Sequence, residues 1–147
     1  MYFKIIFVLL FIVISTSCSV DCKYLQYTDG ITYINGIKYS GDCTSYYPDG
    51  TGTISNKRSY DEGLDNGQWE FYHPNGTLET EGNFDRGAKT GKWSYFFDNG
   101  SIKQISFYKN GLKDSVWTNY LLNGDPLWEK EFKNDTLKSI INFQRYR

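Results

Sequence analysis

Two kinds of hydrophobic pattern divide the chain. Residues 5–14 are an unbroken run of ten apolar side chains. Further along, short segments of apolar and polar residues are separated by Asn-Gly and Asp-Gly pairs, and no apolar period of 3.6 residues is sustained. Short alternating segments are typical of strands, and Asn-Gly and Asp-Gly readily form tight hairpin turns. The pattern therefore predicts an all-β fold of short strands joined by hairpins, preceded by a different N-terminal segment.

The strand pattern repeats with a period of 24 residues. Four positions recur at this step, namely a Trp, an aromatic residue three positions later, a turn Gly and a second aromatic residue: Trp69, Trp93, Trp117; Tyr72, Phe96, Tyr120; Gly76, Gly100, Gly124; and Phe84, Tyr108, Phe132. In the first complete copy, residues 69–72 predict one strand and residues 77–84 a second. Such a unit buries its apolar face by stacking on its neighbours. The expected architecture is an elongated, single-layer antiparallel meander of repeated β-hairpins.

Degenerate copies flank the regular ones, as is usual for terminal repeats. Near the start, Cys43 takes the place of the Trp, and a longer loop at residues 55–67 is expected before the next copy. At the far end, Ile141 lies 24 residues after Trp117 and predicts a closing half-repeat. The predicted division is a signal peptide at 1–17, an N-terminal tether at 18–32 and a repeat domain at 33–147, with copies near 41–66, 67–90, 91–114 and 115–138 before the half-repeat.

Aromatic residues are the main source of apolar surface in these repeats. They make up 18% of the chain, with 13 Tyr, 10 Phe and 4 Trp. A single-layer sheet has no second sheet to pack against, so we expect columns of rings, each covering its counterpart in the next repeat. Aromatic pairs contribute about 0.5–1.5 kcal/mol beyond the burial of their surface.

The repeat unit resembles a known family. Gly-x-Trp-x-x-Tyr-x-x-Asn-Gly-x-Leu followed by Phe-x-x-Gly, as in residues 67–87, is similar to the MORN repeat in its bacterial variant form. The resemblance implies a twisted sheet of successive hairpins whose repeat residues are not catalytic. It also implies protein contacts and membrane attachment, as in eukaryotic relatives, or an antitoxin role, as often assigned to bacterial members. A secreted chain argues against a cytoplasmic antitoxin.

The N-terminal segment is typical of a secretory signal. Its apolar run of ten residues is too short to cross a bilayer core, which needs about 20 residues. The sequence Ile-Ser-Thr-Ser-Cys at residues 14–18 resembles the lipobox of bacterial lipoproteins, although Ser15 stands where Leu is common. The resemblance implies that Cys18 is acylated and becomes the mature N-terminus. The alternative is ordinary cleavage after Ser17. In either case we expect export to the cell envelope, and with acylation a lipid anchor in the membrane.

The three cysteines cannot all pair within one chain. If Cys18 carries lipid, Cys22 and Cys43 remain, and an oxidising compartment allows them to form a disulfide. The alternative is two buried free thiols.

Composition excludes several kinds of chemistry. Lys plus Arg is 16 and Asp plus Glu is 17, a net charge of -1, which argues against binding nucleic acid through its phosphates. His73 is the one imidazole, it lies in a turn, and no nucleophile accompanies it. We expect no catalytic residue, no metal site and no cofactor. Glu79 and Lys103 occupy equivalent positions in successive copies, which favours a cross-strand charge pair.

Two classes of function fit these features. The first is a non-enzymatic, envelope-anchored protein-interaction module, including an antitoxin or immunity protein that binds a toxin. The second is a module that binds glycans or the cell wall, because Trp and Tyr in Gly-rich repeats are also typical of such modules. The aromatic positions given above are structural in the first class and binding residues in the second. Rings buried in columns would favour the first, and rings exposed in grooves the second.

Overall fold

The computed structural model describes residues 19–143, so the predicted signal peptide and Cys18 lie outside the described residues. The strands are β1 (Val20–Asp21), β2 (Gln26–Thr28), β3 (Ile31–Ile34), β4 (Ile37–Lys38), β5 (Gly41–Tyr46), β6 (Ile54–Asp61), β7 (Leu64–Asp65), β8 (Gly67–Tyr72), β9 (Leu78–Asp85), β10 (Ala88–Phe96), β11 (Ile102–Lys109), β12 (Leu112–Tyr120), β13 (Pro126–Lys133) and β14 (Thr136–Asn142). One 3₁₀ helix, Cys22–Tyr24, lies between β1 and β2. Within residues 19–143 no helix is long and apolar enough to cross a membrane.

The strands form one long sheet and one small sheet. The long sheet has the order β1-β5-β6-β8-β9-β10-β11-β12-β13-β14, with β7 pairing to β6. From β5 onward every neighbouring pair is antiparallel, while β1 runs parallel to β5. Strands β2, β3 and β4 make a separate antiparallel sheet. The predicted all-β meander of hairpins is confirmed.

Two kinds of turn alternate along the meander. At one edge, tight turns place both central residues at positive φ, as at Asn110 (51°) and Gly111 (81°), which is the geometry that matches the twist of a hairpin. At the other edge, an Asn side chain accepts a hydrogen bond from the N–H two residues later, as Asn75 does from Thr77 and Asn99 from Ser101. The Asn-Gly pairs of the sequence therefore serve two different turns.

A bulge precedes each Trp of the regular copies. In β10, Thr90 pairs with Asn83 and Ser94 with Glu81, so residues 91–93 lie opposite the single residue Gly82. The bulge requires positive φ at its first residue, 64° at Gly91, and the equivalent Ser115 adopts 60° in β12. The sequence period carries no direct sign of this bulge.

The terminal strand has a smaller bulge than its counterparts. In β14, Ser139 pairs with Glu131 and Leu137 with Phe132, which leaves only one extra residue. As a result Ile140, and not Ile141 as the period alone would give, lies opposite Lys130, which in turn pairs with Trp117. Ile141 points to the other face of the sheet, because successive side chains of a strand alternate.

The predicted loop at residues 55–67 is wrong. These residues form most of β6, a tight turn, β7 and the start of β8. The two extra residues of the first copy lie instead in the turn between β5 and β6, where Tyr47 N–H donates to the carbonyl of Thr53. With this alignment Tyr60 is equivalent to Phe84, a match that the misplaced insertion hides.

The segment predicted as a tether, residues 18–32, is folded from Ser19 onward. Val20 pairs with Cys43 at the edge of the long sheet, and β2 and β3 belong to the small sheet. The small sheet is held against the first copy because Thr32 N–H donates to the carbonyl of Gly63 and Gly63 N–H donates to that of Tyr39.

Candidate binding surface

An aromatic ladder runs along one face of the long sheet, which we call the Trp face. Neighbouring rings have centroids 4.7–6.2 Å apart and are tilted or edge-on. The order of the rings is Tyr39, Tyr60, Trp69, Phe84, Trp93, Tyr108, Trp117 and Phe132. Two predicted columns thus merge into one: each Trp contacts the Phe or Tyr on either side and not the Trp of the next repeat.

Each Trp is also fixed by its indole N–H. Trp69 Nε1 donates to the carbonyl of Ser59 at 3.0 Å, Trp93 Nε1 to Asn83 at 3.3 Å and Trp117 Nε1 to Phe107 at 2.9 Å. The acceptor is ten residues earlier in every case and lies on the preceding strand. A buried indole N–H needs such a partner, so the ladder is connected to the backbone at every step.

The Trp rings are closed to solvent. Trp69, Trp93 and Trp117 are 9%, 2% and 8% exposed. Trp93 lies directly over Gly82, where a Cβ atom would come within 2.1 Å of the ring. Because the rings are covered and their polar atoms are bonded, the Trp row presents no aromatic platform.

Lysines complete the cover of the ladder. Lys89 Nζ lies 4.0 Å from the centroid of the Trp93 ring, and Lys113 Nζ lies 5.1 Å from that of Trp117. Both distances are within the range of a cation–π interaction. Burial lowers the pKa of Lys89. These two lysines occupy the same position in successive copies and were missed by the sequence reasoning, although their 24-residue spacing was a usable signal.

The opposite face, which we call the polar face, carries charged and hydroxyl groups. Lys57 Nζ lies 3.2 Å from Glu70 Oε2, and the Tyr72 hydroxyl donates to the same carboxylate. The hydrogen bond from Tyr72 and the ammonium of Lys57 keep the pKa of Glu70 low. An open depression of about 470 Å³ beside this cluster is lined in part by Ser19 and Thr44.

The third predicted aromatic column belongs to the polar face. Tyr72, Phe96 and Tyr120 follow their Trp by three residues, and alternation along a strand places them on the opposite side from it. All three are half-buried, and Tyr72 belongs to the cluster with Glu70. The structure therefore separates the nine predicted aromatic residues into six ladder residues and three residues of the polar face.

Hairpin tips at one edge contact each other from copy to copy. Asn75 Nδ2 and Thr77 Oγ1 both donate to the carbonyl of Asp98 in the next tip, at 2.8 and 2.9 Å. A His73 ring nitrogen lies 3.2 Å from the carbonyl oxygen of Phe96. The single histidine thus takes part in packing between repeats.

Cys22 and Cys43 are joined in a disulfide, with Cα atoms 5.1 Å apart. Cys43 is fully buried in a cluster with Tyr39, Tyr60 and Trp69. The bond fastens the first described residues to the first copy. Closing a loop of 21 residues stabilises a fold by about 3 kcal/mol in the chain-entropy treatment.

The predicted charge pair between Glu79 and Lys103 is wrong. Glu79 lies in β9 and Lys103 in β11, and β10 separates these two strands. Equivalent residues of successive copies are two strands apart, so they cannot be direct cross-strand neighbours. Within residues 19–143 no group of three or more His, Cys, Asp or Glu side chains could hold a metal ion.

Comparison with known proteins places the repeats in a family. Residues 65–86 and 89–110 match the model of the MORN repeat variant family, and each match covers one 24-residue period of the structure. No curated protein matches the chain. One solved structure, described as accessory secretory protein 1, 2 and 3 in Streptococcus pneumoniae, aligns at 18% identity with a TM-score of 0.21. The alignment covers 74% of this chain and 17% of that one, and nothing is carried over from it.

The fold and the ladder define a non-globular class of protein, an all-β array of stacked hairpins. Within that class the chain is a MORN repeat protein of the variant form. The copy formed by β12 and β13 lies beyond the matched residues, and it has the same indole–carbonyl hydrogen bond at Trp117 and the same ring contacts.

Proposed function

We propose that this protein is a non-enzymatic module of the cell envelope, anchored by lipid on Cys18, that binds another protein through the polar face of its repeat sheet. MORN repeats are in general protein- and membrane-interaction modules, and the family is not an enzyme family. This general role supports the proposal, while the anchor and the choice of face come from this chain.

Burial of the Trp rings is the observation that carries the proposal. Glycan binding through aromatic platforms needs ring faces open to solvent, and Trp93 is only 2% exposed. The polar face offers what a protein surface recognises, namely paired charges such as Lys57 and Glu70, hydroxyl groups and an open depression. Protein interfaces use such mixed polar surfaces with aromatic anchors, a part that Tyr72 is placed to play.

The anchor position supports a membrane-proximal orientation. Ser19, the residue after Cys18, already contacts the sheet, because the Thr44 hydroxyl lies 3.4 Å from the Ser19 hydroxyl. Consecutive Cα atoms are about 3.8 Å apart, so a lipid on Cys18 holds the N-terminal end of the array at the membrane surface. The long axis of the sheet then leads away from the anchor, strand by strand.

Replacement of Cys18 tests the anchor. Cys18→Ser is expected to move the protein from the membrane pellet to the soluble fraction, since stable attachment needs the acyl chains. The measurement is fractionation followed by immunoblotting and mass determination of the mature N-terminus. Cys22→Ser, a neighbouring thiol outside the lipobox, is the control and should still pellet. A Cys18→Ser protein that stays in the membrane fraction would contradict lipid anchoring.

Site-specific photo-crosslinking tests the binding face. Lys92 and Glu131 are exposed, and strand alternation places both on the polar face, next to Trp93 and Phe132 of the other face. A photo-reactive residue at either position is expected to give a crosslinked product with a second protein in intact cells. The matched control position is Arg86, an exposed residue in a tight turn. Crosslinks from Arg86 but from neither face residue would overturn the assignment of the polar face.

A further inference from the structure

The two ends of the long sheet are treated differently. At the N-terminal end, the edge strand β1 has two residues, it pairs with β5, and the disulfide next to it fixes the following segment. At the C-terminal end, β14 has seven residues, all exposed, and within residues 19–143 it pairs with β13 alone. A short, fastened edge is protected from further pairing, whereas a long open edge is a template for another strand.

The open edge has the side chains of an interface. Leu137, Ile140, Ile141 and Phe143 are 44%, 49%, 52% and 42% exposed. Between Thr136 and Phe143 the strand carries one charge, Lys138, and no Pro. Natural edge strands commonly avoid pairing through several charges, Pro or short length. The edge of β14 lacks these features, and its apolar residues occupy both faces.

We propose that β14 pairs antiparallel with β14 of a second copy of this chain, which makes one continuous sheet from two arrays. An antiparallel pair of identical strands is related by a twofold axis, so each copy offers and receives the same contacts. Because the β1 end is closed, the assembly stops at two copies and does not grow into a filament.

Charge and face fix the arrangement. A twofold axis through Ile140 places the two Ile140 side chains together and sets Lys138 opposite Asn142. An axis through Lys138 would instead oppose two lysines, which is unfavourable. In the first arrangement the Trp faces of the two copies continue into each other, since antiparallel partners directly opposite share a face. The contact therefore extends the polar face as well as the Trp face across both copies.

Thiol crosslinking of the full chain in its membrane tests the pairing. Ile140→Cys, treated with a short bismaleimide, is expected to give a product of twice the chain mass, because the residue lies next to the axis. Asn123→Cys, in an exposed turn of the neighbouring hairpin, is the matched control and should give none, as should the parent chain. A product of another mass would show that a different protein covers β14 and would overturn the proposal.

Charge exchange separates a lost interface from a lost fold. Purified in detergent, the parent is expected to sediment as a dimer, and Ile140→Lys and Ile140→Glu each as a monomer. Mixing these two variants is expected to restore the dimer, which a misfolded variant could not do. A single lysine at Ile37, exposed at the opposite end of the array, is the control and should leave the dimer intact. A monomeric parent, or a dimer unaffected by both changes at Ile140, would overturn the proposal.

Discussion

Trp93→Ala is expected to lower the free energy of unfolding by about 3–5 kcal/mol and to divide the array into separately melting parts. Trp93 is the middle Trp of the ladder, between Phe84 and Tyr108, and its indole N–H connects two strands. Its loss removes ring contacts on both sides at once. In a repeat array stability comes from contacts between neighbours, so a gap in the middle interrupts cooperativity. Thermal and urea melts, followed by circular dichroism, measure both effects.

Two further variants make the test specific. Trp93→Phe keeps a ring and removes the N–H donor, so it should be less destabilising than Ala. Ile141→Ala, at a half-exposed position of the terminal strand, should change stability by less than about 0.5 kcal/mol. If Trp93→Ala melted like the parent and lost binding to a glycan, the Trp row would be a ligand platform, and the proposed function would be wrong.

Gly82→Ala is expected to destabilise the protein by about 3 kcal/mol or more, although Ala normally suits a strand better than Gly. A Cβ at this position would lie 2.1 Å from Trp93 Cδ2 and 2.3 Å from Cε2. The ring cannot move away freely, because Phe84 and Tyr108 contact it from two sides. The expected result is a displaced ring and a lower unfolding midpoint in the same melts.

The equivalent position of the next copy supplies the control. Ser106 is fully buried there and already has a Cβ, so Ser106→Ala should have a much smaller effect. A double-mutant cycle identifies the cause: Gly82→Ala added to Trp93→Ala should cost almost nothing further, because the clash is gone. Additive losses in the double variant would show that Gly82 matters for another reason.

The strands and their order could be predicted because the information is local and repeated. Asn-Gly pairs mark the turns, and the 24-residue spacing of Trp, Tyr and Phe marks equivalent strands, which is sufficient for an antiparallel meander. The tight turns and the Asn-capped tips both follow from the residues present. The pairing of Cys22 with Cys43 also follows from counting, once Cys18 is assigned to lipid.

The contacts between strands could not be predicted, because they depend on register. Spacing alone aligns each Trp with the Trp of the next copy, whereas the bulge at residues 91–93 brings Phe84 and Tyr108 to the ring of Trp93. The smaller bulge in β14 likewise moves Ile140 into the position expected of Ile141. Bulges leave little trace in a pattern of apolar residues, since only Gly91 and Ser115 at positive φ mark them.

The hydrogen bond from each indole to a carbonyl ten residues earlier has a consequence for how such a chain changes over generations. Donor and acceptor recur at the same step, so a duplicated stretch of 24 residues brings its own connection to the stretch before it. A gene for this protein can therefore lengthen or shorten by whole units without a compensating change elsewhere. The two ends, one held by a disulfide and one ending in β14, are then the parts that must be inherited unchanged.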